Sequence, residues 1–227
     1  MSRVAALIPA AGRGERLAGD RPKALREIAG IPMLVWAVDA LVSSAVIDLL
    51  VVAAPADYMA EVRAMLGPDV VVAAGGPTRG ASVRCALEAL PPGFDIVLVH
   101  DAARPFVPVS VVAAVVAAVR AGHTAVVPVL PLPDTVKRVA PDGTVAETPP
   151  REELVAVQTP QGFARDVLIA AHQQGAGEAT DDAALVERLG RPVWTVMGSD
   201  RSFKVTRPID LLLAEAMALA VRRGEPG

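Results

Sequence analysis

Short apolar runs rich in valine recur along this chain with helical stretches between them. That rhythm restricts the fold more than any other feature. The runs are VAALI (4–8), LLVVAA (49–54), VVVAA (70–74), IVLVH (96–100), AVVPV (125–129) and VWTV (193–196). They are apolar throughout instead of alternating, the pattern of strands buried on both faces of a parallel sheet. Between them, helical patterns cover 33–43, 56–66, 78–90, 109–121, 164–173, 182–189 and 208–222. The β-α-β-α order predicts an α/β fold, a three-layer α/β/α sandwich with a Rossmann-like, mostly parallel sheet. With 227 residues and 52% hydrophobic content, the chain can form one large domain over 1–227. Ligands are then expected at the C-terminal ends of the strands.

One segment departs from the pattern. DTVKRVA and TVAET flank a Pro-Asp-Gly turn and read as a hairpin arm over about 133–152. Such an arm, too small to be a domain, packs on a partner subunit or covers a site.

Composition excludes several classes. The net charge of −3 lacks the basic surplus of a nucleic-acid binder. The apolar stretch 111–119 falls short of the ~20 residues of a membrane span. The charged GRGER after VAALIPAA argues against a signal peptide. The single cysteine, Cys85, permits no internal disulfide and reads as an inert core thiol, consistent with a cytoplasmic protein.

The loop after the first run, PAAGRGERLAGDRPKAL (9–25), is glycine-rich but fits neither familiar phosphate template. Leu17 stands where a dinucleotide fingerprint needs its third glycine, and Asp20-Arg21 where a Walker A loop needs Lys-Ser/Thr. No acidic residue ends the second run, which also disfavours a dinucleotide-dependent oxidoreductase. Instead the loop carries Arg13, Arg16, Arg21 and Lys23, while Ala10, Ala11, Gly12 and Gly14 allow backbone N–H groups to approach a polyphosphate. Only three of the 22 basic residues are lysine: Lys23, Lys137 and Lys204. In so arginine-biased a chain, a lysine marks a place where a compact ammonium suits close approach to a phosphate oxygen. A non-catalytic nucleotide-binding scaffold would be expected to lose its cationic positions, but Arg16, Lys23, Arg151 and Lys204 are all present.

Further motifs follow in order: GG-x-x-R-x-x-SV (75–83), HDAARPFV (100–107), DTVKRV (134–139), TPQGF (159–163), TDDAALVERLG (180–190) and FKVTRPIDL (203–211). Together with the opening loop they resemble the 2-C-methyl-D-erythritol 4-phosphate cytidylyltransferases, over about residues 3–220. The resemblance implies that CTP and a polyol phosphate are joined with release of pyrophosphate, with Mg²⁺ as cofactor. Methylerythritol phosphate is the expected acceptor, and ribitol 5-phosphate the alternative. It also implies a homodimer held through the arm. Some family members carry a cyclase domain downstream; the chain is expected to be the transferase alone.

The same resemblance assigns roles. Arg16, Lys23, Arg151 and Lys204 are the expected catalytic cations. Pro9, Ala10, Ala11, Gly12, Gly14, Gly75, Gly76, Arg79 and Ser82 are expected to bind the nucleotide, with backbone groups and the Ser82 hydroxyl reading cytosine. Asp101, Arg104, Thr135 and Thr159 are expected to contact substrate, and Thr135 and Arg151 to serve the neighbouring subunit's site. Pro77 has no N–H to offer the base. From the residues alone, Asp101 at a strand end is either a Mg²⁺ ligand or a turn cap. Arg79 either meets the nucleotide or is an ordinary first-turn residue. His100 reads as a buried orienting group. His123 and His172 read as helix-end or surface residues without chemistry, and Asp181 and Asp182 as part of a helix cap, with Thr180 or Asp181 at the N-cap position.

Overall fold

The computed structural model describes residues 2–12, 21–174 and 179–223. In chain order the strands are β1 (Val4–Pro9), β2 (Glu27–Ile28), β3 (Ile31–Pro32), β4 (Leu49–Ala54), β5 (Val70–Ala74), β6 (Ile96–Val99), β7 (Ala125–Pro131), β8 (Arg138–Val139), β9 (Val145–Glu147), β10 (Val155–Val157), β11 (Gln161–Ala164) and β12 (Trp194–Met197). The helices are α1 (Met33–Val42), α2 (Met59–Leu66), α3 (Arg79–Ala89), α4 (Val109–Arg120), α5 (Arg165–Gln174), α6 (Asp182–Arg188) and α7 (Pro208–Arg222).

The main sheet runs β5-β4-β1-β6-β11-β7. β1 pairs in parallel with β4 on one side and β6 on the other. Its side chains show why the strand is apolar throughout. Val4, Ala6 and Ile8 enter one core with Leu34 and Val38 of α1, Val62 of α2 and Val112 and Val116 of α4. Ala5 and Leu7 enter the opposite core with Val83 of α3, Leu168 of α5 and Val186 of α6. Both faces are covered, so neither can carry polar residues. The three-layer α/β/α sandwich expected from the sequence is what forms. A smaller apolar cluster joins α7, through Ala214 and Ala218, to Ile28 and Met33.

The sheet departs from the expectation at one end. TPQGF carries no apolar run, yet Gln161–Ala164 forms β11, inserted antiparallel between β6 and β7. β10 continues the same line of chain along the far half of β7. Val126 and Val129 of β7 each have one partner on this side and one on β12, so β12 closes the opposite edge. The run 193–196, read as a buried strand, is therefore an exposed edge, with Trp194 and Met197 half or more exposed. Similarly, the helix expected over 56–66 begins as a 3-10 turn at Ala56–Tyr58. Cys85, expected in the core, is half-buried.

The arm forms where the sequence placed it. β8 and β9 pair antiparallel across the Pro-Asp-Gly turn, and their residues are exposed on both faces. It leaves the sheet after Pro131 and returns at Val155, the residue paired with Pro131.

β11 can lie against α4 only because residue 162 lacks a side chain. A Cβ there would stand 2.5 Å from Val115 Cγ1 and 3.1 Å from Leu98 Cδ2. Gly162→Ala is expected to lower unfolding stability by about 1–3 kcal/mol, as overpacking of a closed core does. A lower urea midpoint at an unchanged m-value would be the observation; an unchanged midpoint would contradict the packing described.

Candidate active site

β1 is flanked by β4 and β6, so successive crossovers leave it in opposite directions, and a crevice opens at its C-terminal end. The cleft there has a volume of about 1110 Å³ and is lined by the loops after β1, β4, β5 and β6 and by Lys204 and Thr206. Of the expected site residues, Pro9, Ala10, Ala11, Gly12, Lys23, Gly75, Gly76, Arg79, Ser82, Asp101 and Lys204 line it together. Arg16 and Gly14, with Arg13, lie outside the described residues. Arg21, Lys23, Arg79 and Lys204 outnumber Asp57 and Asp101 among the charged lining residues, so the cleft favours an anion.

Its walls are drawn together by small residues. Ala10 N–H donates to Ala53 O at 2.8 Å and Gly75 N–H to Ala54 O at 2.7 Å, so both loops hang from the end of β4. A Cβ on Gly75 would stand 2.4 Å from that of Ala11, and one on Gly76 would stand 2.5 Å from Ala81 Cβ. The two glycines are what permit the first loop and the α3 entry to touch. Ser82 borders the cleft but is buried, and its hydroxyl is already committed. Its Oγ accepts from Gly76 N–H at 3.2 Å and donates to Thr78 O at 3.0 Å, which fixes the loop. Thr78 caps α3 through Ala81 N–H, aiming the helix's N-terminal amides at the cleft.

A chain of alternating charges crosses the floor. Lys204 Nζ meets Asp101 Oδ2 at 2.7 Å. Asp101 Oδ1 accepts from Arg79 Nε at 2.9 Å. Arg79 Nη1 reaches Asp182 Oδ2 at 2.7 Å, and Asp182 Oδ1 lies 2.9 Å from His172 Nε2. Burial alone would raise the Asp101 carboxyl, but the charges of Arg79 and Lys204 outweigh it and hold the group well below the usual carboxylate range. Asp182 is likewise held down: burial works against its charge, and the His172 hydrogen bond and Arg79 overcome it.

One sequence expectation holds here and one is corrected. Asp181, one of the two cap candidates, caps α6 by accepting from Ala184 N–H, while Asp182 faces inward and is 1% exposed. His172 is not on the surface, but buried against Asp182. A signal was available in the sequence. Asp182 shares a helical face with Leu185 and Val186, and His172 with Leu168, so both stand on apolar stripes.

Asp101 is aimed from below. Its N–H donates to Thr159 Oγ1 at 3.0 Å. His100 Nε2 lies 3.0 Å from Arg104 O, a group that can only accept, so Nε2 carries the proton. Nδ1 is then the acceptor for the Thr159 hydroxyl at 3.1 Å. Burial pushes the His100 ring down to about 4, which keeps it neutral in this role. Thr159, expected at the substrate, is thus a buried strut beneath it. Arg104 also turns away from the lining: Nη1 and Nη2 donate to Ser202 O and Val157 O, tying β10 and the Lys204 segment to the turn after Asp101. Arg151, whose Nη1 donates to Pro133 O, and Thr135 sit by the arm, outside the cleft lining.

The only carboxylates on the described lining are Asp57 and Asp101. That donor set suits a Mg²⁺ taken mainly by phosphate oxygens with one protein carboxylate, and Asp101 fits the latter position.

A doubly wound sheet with an anion-attracting cleft at its switch point defines a nucleotide-binding α/β protein. The family model described as "IspD: 2-C-methyl-D-erythritol 4-phosphate cytidylyltransferase" matches residues 4–219. The chain belongs to this family. A relative of that name from Frankia casuarinae is 58% identical over 215 residues, 95% of this chain and 81% of that one. Another from Streptomyces avermitilis is 54% identical over 239 residues, 100% of this chain and 95% of that one. The crystal structure of the protein of that name from Thermus thermophilus superposes with a TM-score of 0.81 at 40% identity, covering 96% of this chain and 99% of the other.

The buried neutral His100 makes stability depend on pH. Its folded value lies below its ordinary 6.5, at about 4. Between these values the unfolded chain takes up a proton that the folded chain refuses, so stability falls as pH drops through the window, by about 3 kcal/mol in all. His100→Gln, with an amide that can still donate to Arg104 O, is expected to flatten this slope. Equal slopes for the two proteins between pH 6.5 and 4 would refute it.

Proposed function

We propose that this chain joins CTP to 2-C-methyl-D-erythritol 4-phosphate, giving 4-diphosphocytidyl-2-C-methyl-D-erythritol and pyrophosphate. The observation that carries this reading is the floor of the cleft, where Arg79 and Lys204 flank the ionised Asp101 carboxylate and Lys23 lines the same wall at the C-terminal end of the sheet.

The acceptor is a phosphate monoester with a second pKa of about 6, so it reaches neutral solution mostly as a dianion. It needs no general base, and His100 is committed to holding Thr159. A phosphate oxygen of the acceptor attacks the α-phosphorus of CTP. The bond from that phosphorus to the bridging oxygen breaks, and pyrophosphate leaves with the electron pair. The barrier is the meeting of two anions and the charge gathered on the leaving group. Positioning and fixed cations therefore do the chemistry. The Gly75–Gly76 loop and the N-terminus of α3 suit the nucleotide. Lys23, together with Arg16 of the same loop, suits the triphosphate, and Lys204 the acceptor phosphate. Mg²⁺ would be held by Asp101 and triphosphate oxygens, and when bound it neutralises phosphate charge.

Arg151 and Thr135 stand on the arm, outside the lining of this subunit's cleft, which supports a homodimer in which each arm reaches the partner's site. Exposed Val139, Val145, Val155 and Val157 provide apolar surface for that contact. The lone cysteine and the absence, among described residues, of a helix long and apolar enough to cross a membrane are consistent with a cytoplasmic location.

Pyrophosphate release from CTP and Mg²⁺ with each acceptor tests the reaction. Turnover with methylerythritol phosphate is expected. Turnover with ribitol 5-phosphate alone would sink the assignment. Lys23→Ala is expected to lower kcat by about 10²–10³-fold. Mixing inactive Lys23→Ala and Arg151→Ala proteins and letting subunits exchange is expected to restore roughly a quarter of the activity, since half the dimers are mixed and each has one intact site. No recovery would place Arg151 in its own subunit's site or outside catalysis.

A further inference from the structure

The reaction above uses Arg79, Asp101 and Lys204 but leaves Asp182 and His172 without a task. Both lie in the core, the Asp182 side chain 1% and the His172 side chain 3% exposed. A buried carboxylate is costly unless it is paired, and here its two oxygens are divided between His172 and the cleft residue Arg79. We propose that Asp182, braced by His172, is a positioning residue for nucleotidyl transfer: it holds the Arg79 guanidinium so that Asp101 remains shared with Lys204. This rests on the reading of the cleft as the CTP site.

The geometry explains how. A guanidinium prefers to grip a carboxylate with two parallel N–H donors, taking both oxygens. Arg79 does not do this to Asp101. It gives Nε to Asp101 Oδ1 and Nη1 to Asp182 Oδ2, 2.9 and 2.7 Å away. Two carboxylates on different elements, one after β6 and one opening α6, fix the plane at two points. Asp101 Oδ2 is thereby left to Lys204 at 2.7 Å. Without the charge at 182, Arg79 is free to close its fork on Asp101 and compete with Lys204 for the second oxygen. The cation facing the acceptor phosphate would then lose its tether. His172 works one step further back. Its Nε2 must donate, because an ionised carboxylate only accepts, and that bond keeps Asp182 from turning wholly toward Arg79.

Asp182→Asn keeps the shape and removes the charge. It is expected to lower kcat/KM for CTP by about 10–100-fold, the usual cost of losing an orienting group behind a functional one. Its thermal midpoint is expected to stay high enough for assay at about 25 °C, the temperature at which such stabilities are commonly compared. His172→Gln, which preserves a donor to Asp182, is expected to stay within about threefold of wild type. The deciding measurement is a double-mutant cycle with Arg79→Ala. If Asp182 acts through Arg79, adding Asp182→Asn to Arg79→Ala costs no further activity, and it raises the thermal midpoint by removing a buried unpaired charge. The inference is overturned if Asp182→Asn alone leaves kcat/KM unchanged. It is also overturned if the substitution lowers activity equally in both backgrounds, as a purely structural residue would. An inactive wild-type protein would instead overturn the reaction assigned above, and this inference with it.

Discussion

The Asp101 carboxylate can remain ionised at the bottom of the cleft only because Arg79 and Lys204 stand on either side of it. Everything around the site is arranged to keep that three-group contact in place. Thr159 and neutral His100 fix the backbone beneath it. Arg104 binds the carbonyl of Ser202, two residues before Lys204, and Val205 N–H donates to Ala103 O at 2.8 Å. Three segments distant in sequence are thereby locked to the turn after β6. Charges placed in advance need no reorganisation when a substrate's charge shifts.

The shape of the cleft depends on the absence of atoms. Gly75 and Gly76 bring two loops within contact at the end of β4, where even a methyl group would collide with Ala11 or Ala81. Ser82 then spends its hydroxyl on the loop itself. Pro77 beside it has no N–H, so this wall offers few free side-chain or backbone donors to the cleft.

Much of this was legible in the sequence, for physical reasons that also set the limits. β1 must satisfy two cores, so its apolar run was unambiguous. β11 carries Gln161 and Gly162 because it closes against α4 and hydrogen-bonds to the α6 entry, and such a strand has no apolar signature. β12 shows the opposite failure, an apolar run lying at an edge. The cations and glycines of the cleft were found because phosphate chemistry restricts residue type and spacing. Asp182 and His172 were missed because helix-cap chemistry explained the acidic pair equally well. The two partners of Asp182 lie 103 and 10 residues away, distances that local pattern does not weigh.

The arm begins at Pro131 and ends at Val155, and those two residues are paired neighbours across β7 and β10. The strands therefore close behind it whatever lies between. Its length and composition can drift without shifting the register that carries Thr159 to Asp101. The arm and the floor of the cleft are adjacent in the chain, yet free to evolve at different rates.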